Sequence, residues 1–419
     1  RQISILNNDN NNDDEEPIID DEVDADEDSD NDTIPDTLDN CPNIANIDQA
    51  DANDNNMGDA CDSSDSDGDN VPDNEDQFPE DATKAASITN AHRLLTQATF
   101  GPTEAEIDNI VAIGAQAWLT EQFAKPSAYD NSADDHKTHL ERTVEITNLE
   151  EPSITWTNNG IFNTSPAAIW NVRYYQMSAW WENALGHPTH TRHGSDQLRQ
   201  RIAYALSQIL VVSGKDPRLY LRGDSLAYYY DILTKHAFGN FRTLLGEISR
   251  SATMGVYLTY QGNEKADPDK STRPDENFAR ELIQLFTVGL YELNVDGSPN
   301  RDGDESTYPD TGSHQVPTYT QDDVVELAKV MTGWDIKGNN TFGGTSMGLG
   351  EYAAQMEFHS DRHEDEAAEE GDGFVTVLGT TMALNSGFDS SGLDPALDII
   401  FNHPCLRRIN NMTRNISTF

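Results

Sequence analysis

Three windows near the start of the chain place oxygen-bearing side chains in one register. DSDNDTIPDTLD (28–39), DANDNNMGDACD (51–62) and DSDGDNVPDNED (65–76) each carry them at positions 1, 3, 5, 9 and 12. The residues are Asp28, Asp30, Asp32, Asp36 and Asp39, then Asp51, Asn53, Asn55, Asp59 and Asp62, then Asp65, Asp67, Asp69, Asp73 and Asp76. Calcium is a hard cation that takes six to eight oxygens, and alternating carboxylates with one backbone carbonyl let a short loop wrap it. Ile34, Met57 and Val71 occupy the seventh position, where the carbonyl is the donor and the side chain makes a small apolar contact. A solvated acidic tail would need no such register. Ca2+ is the expected ligand of these loops.

Nucleophilic chemistry has two candidate sites. Gly344-Thr-Ser346-Met-Gly348 matches the GxSxG nucleophile elbow, and Gly223-Asp-Ser225-Leu226 spells the tetrapeptide of another esterase class. An elbow needs a strand before the serine and a helix after it, so that Oγ projects beside oxyanion donors. KGNNTFGG before Ser346 is a poor strand, and Asp224 with Ser225 reads as the N-cap of a helix. His359, His363 and His403 are the bases such a site would draw on. His359 and His363, four apart with Glu364 adjacent, also form an HxxxH pair that could share a helix face around a metal, without a third ligand at a definite spacing. His187, His190 and His193 recur every third residue, but Pro188 breaks a helix there, so only a loop could gather them. Glu276, Asn277, Arg280 and Glu281 cluster on an apolar helix, with Glu276 and Arg280 as an i, i+4 pair. They read as a site or as a buried network that fixes packing. Asp322, Asp323 and Trp334 pose the same choice, and capping accounts for Asp323.

The elements that must position these residues fall into two regimes. The chain has 419 residues and a formal net charge of −47, which excludes a basic nucleic-acid binder. Residues 1–83 hold 29 carboxylates and one basic residue, with Phe78 the only aromatic, too little apolar surface for an ordinary core. Residues 1–23 read as an acidic, unstructured linker, and 24–82 as the calcium-loop segment. The other 33 aromatics follow residue 83. From Lys84 the periodicity is helical. Thr103 to Glu106 is a capping box opening one amphipathic run, and 195–213 forms another. The stretch 224–249 reads as two helices broken near Gly239. In 274–293, Phe278, Leu282, Leu285, Phe286 and Leu290 share a stripe, and 319–334 opens on a second box, Thr320 to Asp323. Strand-like alternation is confined to pieces such as GFVTVLG (373–379), and 125–165, 294–318 and 335–372 read as irregular insertions. The fold class expected is a mainly α-helical domain preceded by an irregular calcium-loop stalk. No run reaches the roughly 18–20 apolar residues of a membrane-spanning helix. Three cysteines, Cys41, Cys61 and Cys405, are read as one disulfide and one leftover thiol. An Arg at position 1 is expected to mark a mature or trimmed product.

Two stretches resemble known families. DNCPNIANIDQADANDNNMGDACD (39–62), with the loops on either side, resembles the thrombospondin type 3 repeat. The resemblance implies an irregular string of calcium loops with little helix or strand, held by ions and by a Cys41–Cys61 bond. Asn53 and Asn55 stand where that family usually has Asp, so the middle loop is expected to bind more weakly. AHRLLTQATFGPTEAEI, RQRIAYALSQILVVS, RPDENFARELIQLFTVGLYELNVDG, YTQDDVVELAKVMTGW and FNHP occur in the order seen in an uncharacterised bacterial family, domain of unknown function 1800. Residues 88–404 resemble that domain, which implies a helical fold and export. The tail CLRRINNMTRNISTF (405–419) departs from the family's further helix, so a truncation or frameshift is expected there. The function expected is an exported calcium-binding protein, extracellular, at the cell surface or in the periplasm, whose stalk presents a helical domain for adhesion to surface or matrix polymers or proteins. The alternative is a secreted serine esterase, acting through Ser346 or Ser225 with His363 as base.

Overall fold

The computed structural model describes residues 28–51, 56–62, 66, 72, 87–127, 137–157, 160–162, 166–186, 195–267, 269–294, 297–298, 300, 315–344, 351–364, 373–385, 387, 390–404 and 406. The chain divides into two compact units, Arg1–Leu94 with Thr103–Trp118, and Leu95–Pro102 with Leu119–Phe419.

In the first unit the described residues from 28 to 62 form turns and bends without helix or strand. Asp and Asn dominate here, and their short side chains bond nearby backbone N–H groups, competing with regular structure. Asn31, Thr33, Gln49 and Asn56 take positive φ, which curls the chain on itself. Cys41 and Cys61 are joined, with Cα atoms 5.7 Å apart. Gly58 is needed where it stands: its N–H donates to the Asn40 carbonyl, and an added Cβ would lie 2.2 Å from Asn40 Oδ1. Helices α1 (Ile88–Ala98) and α2 (Glu104–Ala124) span the division between the units. The Thr103 hydroxyl accepts from Glu106 N at 3.3 Å at the start of α2, and Gly114, at φ +78°, bends it.

The second unit is mainly helical. It contains α3 (His139–Glu150), the β1–β2 hairpin (Thr155–Thr157, Gly160–Phe162), α4 (Pro166–Leu185), α5 (Gln197–Ile209), α6 (Gly223–Lys235), α7 (Phe241–Arg250) and α8 (Ala252–Tyr257). Then come α9 (Asn277–Gln284), α10 (Gln321–Val330), the short pair β3–β4 (Trp334–Asp335, Glu357–Phe358), the hairpin β5–β6 (Phe374–Val377, Thr380–Ala383) and α11 (Leu393–Asn402). The three strand pairs among the described residues are antiparallel. Helices α3, α4 and α5 pack on α6, which is buried along most of its length. An apolar core cluster runs from Ala203 to Ile400 and includes Leu244, Leu245 and Ile248 of α7, Phe278 and Leu282 of α9, and Leu327 of α10. No helix among the described residues is long and apolar enough to cross a membrane.

Several expectations need correction. The apolar stripe of 274–293 becomes helix only over the eight residues of α9. Leu285 and Leu290 point to solvent, and the chain turns at Gly289, φ +79°, whose N–H reaches back to the Ile283 carbonyl. The insertion at 125–165 contains α3, opened by a full capping box between Thr138 and Glu141. At the head of α6 the N-cap residue is Arg222, not Asp224 or Ser225; the buried Asp224 carboxylate accepts from Arg222 at 2.7 Å instead. The Thr320–Asp323 capping box is present, and Asp323 also accepts from Leu378 N at 2.7 Å, tying α10 to the β5–β6 turn.

Candidate metal centre

Asp28, Asp30 and Asp32 bring carboxylate oxygens within 4.8 Å of one another. Local backbone bonds set their orientation. Asp28 accepts from the N–H groups of Asn31, Asp32 and Thr33, Asp30 from Asp32 N at 3.1 Å, and Asp32 from Ile34 N at 2.8 Å and Asn46 N at 2.7 Å. Asp39, at the twelfth position, accepts through Oδ1 from Cys41 N at 2.8 Å and Gln49 Nε2 at 2.7 Å. The second oxygens of Asp30 and Asp39 are shielded from solvent and accept no hydrogen bond. Shielded carboxylate oxygens without donors are costly unless a cation or proton meets them. Burial is the largest influence on Asp30 and raises its carboxyl above the ordinary carboxylate range; the charges of Asp32, Asp39 and Asp28 push the same way. The three clustered carboxylates, at positions 1, 3 and 5, suit a hard divalent cation such as Ca2+.

Asp36 is used differently. Its two oxygens accept the Ser29 N–H at 2.8 Å and hydroxyl at 2.6 Å, which holds its carboxyl below the usual range. Ser29 and Gln49 are the residues that the register did not reveal. Ser29 lies between the first two acidic positions, and Gln49 lies ten residues beyond the aspartate it orients. In the second window Asp51 accepts from Asn56 N at 2.9 Å, Asp59 donates its N–H to the Ala50 carbonyl, and Asp62 is buried. Asn53, Asn55, Asp65, Asp67, Asp69, Asp73 and Asp76 lie outside the described residues, as do Ser346, His187, His190, His193 and Cys405.

The other candidates do not assemble into one site. Ser225 is fully buried, and its hydroxyl pairs with the Thr253 hydroxyl at 2.7 Å rather than with a histidine or carboxylate. His359 and His363 do not share an α-helix face, because a single 3₁₀ turn, Ser360–Arg362, separates them. His359 sits beside Glu357 near the surface, while His363 is buried with Nδ1 against Thr332. Glu276 and Arg280 pair at 3.0 Å in a partly exposed position and are tied to Gln321 of α10, so the buried network expected there is a surface clasp. Trp334 is buried against Phe358.

A family model described as "Protein of unknown function (DUF1800)" matches residues 93–411, and one described as "Thrombospondin type 3 repeat" matches residues 20–49 and 50–85. No curated protein and no solved structure matches the chain. The chain belongs to the DUF1800 family and carries thrombospondin type 3 repeats ahead of the family domain.

Proposed function

We propose that this DUF1800 protein acts outside the cytoplasm as a calcium-binding molecule. Its repeats take up Ca2+ through their aspartates and stiffen, and the helical domain that follows in the chain contacts surface or matrix polymers or proteins. The observation that carries the reading is the convergence of Asp28, Asp30 and Asp32, with the shielded, donorless oxygens of Asp30 and Asp39. Without a cation, like charges a few ångströms apart repel, and the small apolar content of the segment offsets little of that cost. A bound divalent ion reverses the sign of the interaction, so folding of the segment and ion uptake are coupled. The Cys41–Cys61 bond is in keeping with an oxidising compartment. The esterase alternative gains nothing from Ser225, whose hydroxyl is engaged in packing.

Calorimetric titration of the calcium-free chain tests the reading. Saturable uptake of Ca2+ is expected, and Asp30→Asn should weaken or abolish one of the binding events while the others persist. Absence of calcium binding by the intact chain overturns it.

A further inference from the structure

Helices α4 and α5 form a surface on which, among the described residues, no exposed position carries a charge. On α4, Trp170, Tyr174, Met177, Trp181 and Leu185 follow one another at i, i+4, i+7, i+11 and i+15, each about half exposed, in a strip about 22 Å long. On α5 the large exposed side chains are Tyr204 and Ile209. The two faces meet at a cleft of about 400 Å³ that takes Met177 and Trp181 from one helix and Tyr204 and Ser207 from the other. A continuous apolar patch of this kind marks a contact surface, unlike apolar side chains scattered singly.

Charge supplies the second observation. Residues 152–215 hold two carboxylates, Glu182 and Asp196, against five basic residues, in a chain that holds 74 against 27. Both carboxylates are taken up by arginine, Glu182 by Arg142 and Asp196 by Arg199. Arg173 lies over the Tyr174 and Tyr220 rings at 4.9 and 4.2 Å, and Arg201 over Tyr204 and Phe100 at 5.6 and 5.7 Å, so each guanidinium borders an exposed ring of the face. Hydrogen bonds run from Arg173 to the Tyr174 hydroxyl and from Arg201 to the Gln97 carbonyl, and among the described residues neither meets a carboxylate. Stacking holds a guanidinium plane in place and leaves N–H groups for an oxyanion.

The chemistry of the face narrows the partner. A second copy of the chain would set the arginines against the same acid-free surface, without a counter-charge. A sugar chain would stack on the rings and leave Met177, Leu185 and Ile209 unused. A phospholipid surface takes all three kinds of side chain: the acyl boundary takes the aliphatic ones, the headgroup level suits Trp and Tyr, and phosphate accepts guanidinium N–H groups in pairs. The carboxylates elsewhere on the chain oppose this little, because at physiological salt charges are screened beyond about 8 Å. We propose that the α4–α5 face docks on a phospholipid surface, lying on it rather than crossing it, with Trp181 at the headgroup level and Arg173 and Arg201 on lipid phosphates. This goes beyond the polymer and protein contacts of the proposed function and does not depend on calcium uptake by the repeats.

The test is flotation of the full calcium-loaded chain with vesicles of phosphatidylcholine alone or with about one-third phosphatidylglycerol, beside alginate gels and immobilised collagen. Binding to both vesicles is expected, tighter where phosphatidylglycerol is present. Trp181→Ala should weaken it at least about tenfold on both. Met177→Ser combined with Leu185→Ser should do the same without touching the ring contacts of α4. Arg173→Gln combined with Arg201→Gln should cost at least about tenfold on the phosphatidylglycerol vesicles and less on the others. All variants should keep the circular dichroism of the wild type. No binding to either vesicle overturns the proposal, and capture by alginate or collagen alone does so while leaving the polymer or protein contact standing. Vesicle binding that all three variants retain in full, as calcium bridging through the acidic loops would give, overturns the assignment to this face.

Discussion

Asp231, on α6, is the buried acid whose removal has the most definite consequence. Its carboxylate accepts the His139 N–H at 2.7 Å and the Leu140 N–H at 3.0 Å, the first two amides of α3. That is a favourable place for a negative charge, at the positive end of a helix. Burial outweighs it: Asp231 is 2% exposed, and its pKa is pushed up from the ordinary 3.8 to about 7, with Glu141 contributing in the same direction. The folded protein therefore keeps a proton that the unfolded chain has released between those two values. Stability from this group is fully present below pH 3.8 and is lost as pH rises towards 7. At about 1.4 kcal/mol per pH unit, the interval amounts to about 4 kcal/mol. Asp231→Asn cannot ionise, and its amide oxygen accepts only one of the two α3 amides, which costs about 1–3 kcal/mol at every pH. Chemical unfolding followed by tryptophan fluorescence, at fixed ionic strength and calcium, compares the two proteins from pH 4.5 to 8, so that titrations common to both cancel. The variant should be the less stable at pH 4.5 and gain on the wild type by about 3 kcal/mol by pH 8. A difference that stays flat, or moves in favour of the wild type as pH rises, refutes the reasoning.

Calcium removal should open the repeat segment to protease cleavage between residues 28 and 62 while the α-helical signal of the second unit persists; an unchanged cleavage pattern in chelator contradicts ion-dependent order there. Replacing Cys41 and Cys61 together by serine frees a twenty-residue loop, so the same segment should lose about 3 kcal/mol of stability, read as faster proteolysis in saturating calcium. Asp323→Ala leaves the Thr320 cap but removes the side-chain half of the capping box and the tie to Leu378, and a loss of about 2 kcal/mol is expected in thermal unfolding. Ser225→Ala removes one buried hydrogen bond while the Thr253 hydroxyl keeps its bond to the residue 225 carbonyl, so it should cost about 1 kcal/mol and leave any turnover of a short-chain chromogenic ester unchanged; a hundredfold loss of turnover would restore it as a nucleophile.

What was legible in the sequence was whatever depends on short spacings. The part of the acidic register that comes together, Asp28, Asp30 and Asp32, lies within five residues, and the boxes at Thr103 and Thr320 need only three. The same spacing at Thr138 and Glu141 signals α3, where the segment reads at first as an irregular insertion. Features that depend on remote partners were not legible. Nothing near Leu285 and Leu290 distinguishes them from the buried Leu282, since only the turn at Gly289 sends them outward. His359 and His363 have helical spacing, but Thr332, thirty-one residues earlier, receives the second ring and a 3₁₀ turn separates the two. The stretch from Trp170 to Trp181 on α4 falls between these cases. Trp170, Tyr174, Met177 and Trp181 recur at helical spacing, the usual sign of a face turned to the core, yet each is about half exposed. Among the described side chains α4 instead buries Val172, Ala179, Asn183 and Ala184 and packs Trp180 against the core. Spacing alone does not say which aromatic of a helix meets the core, because that choice is made by the helices that pack on it, α3, α5 and α6, which lie elsewhere in the sequence.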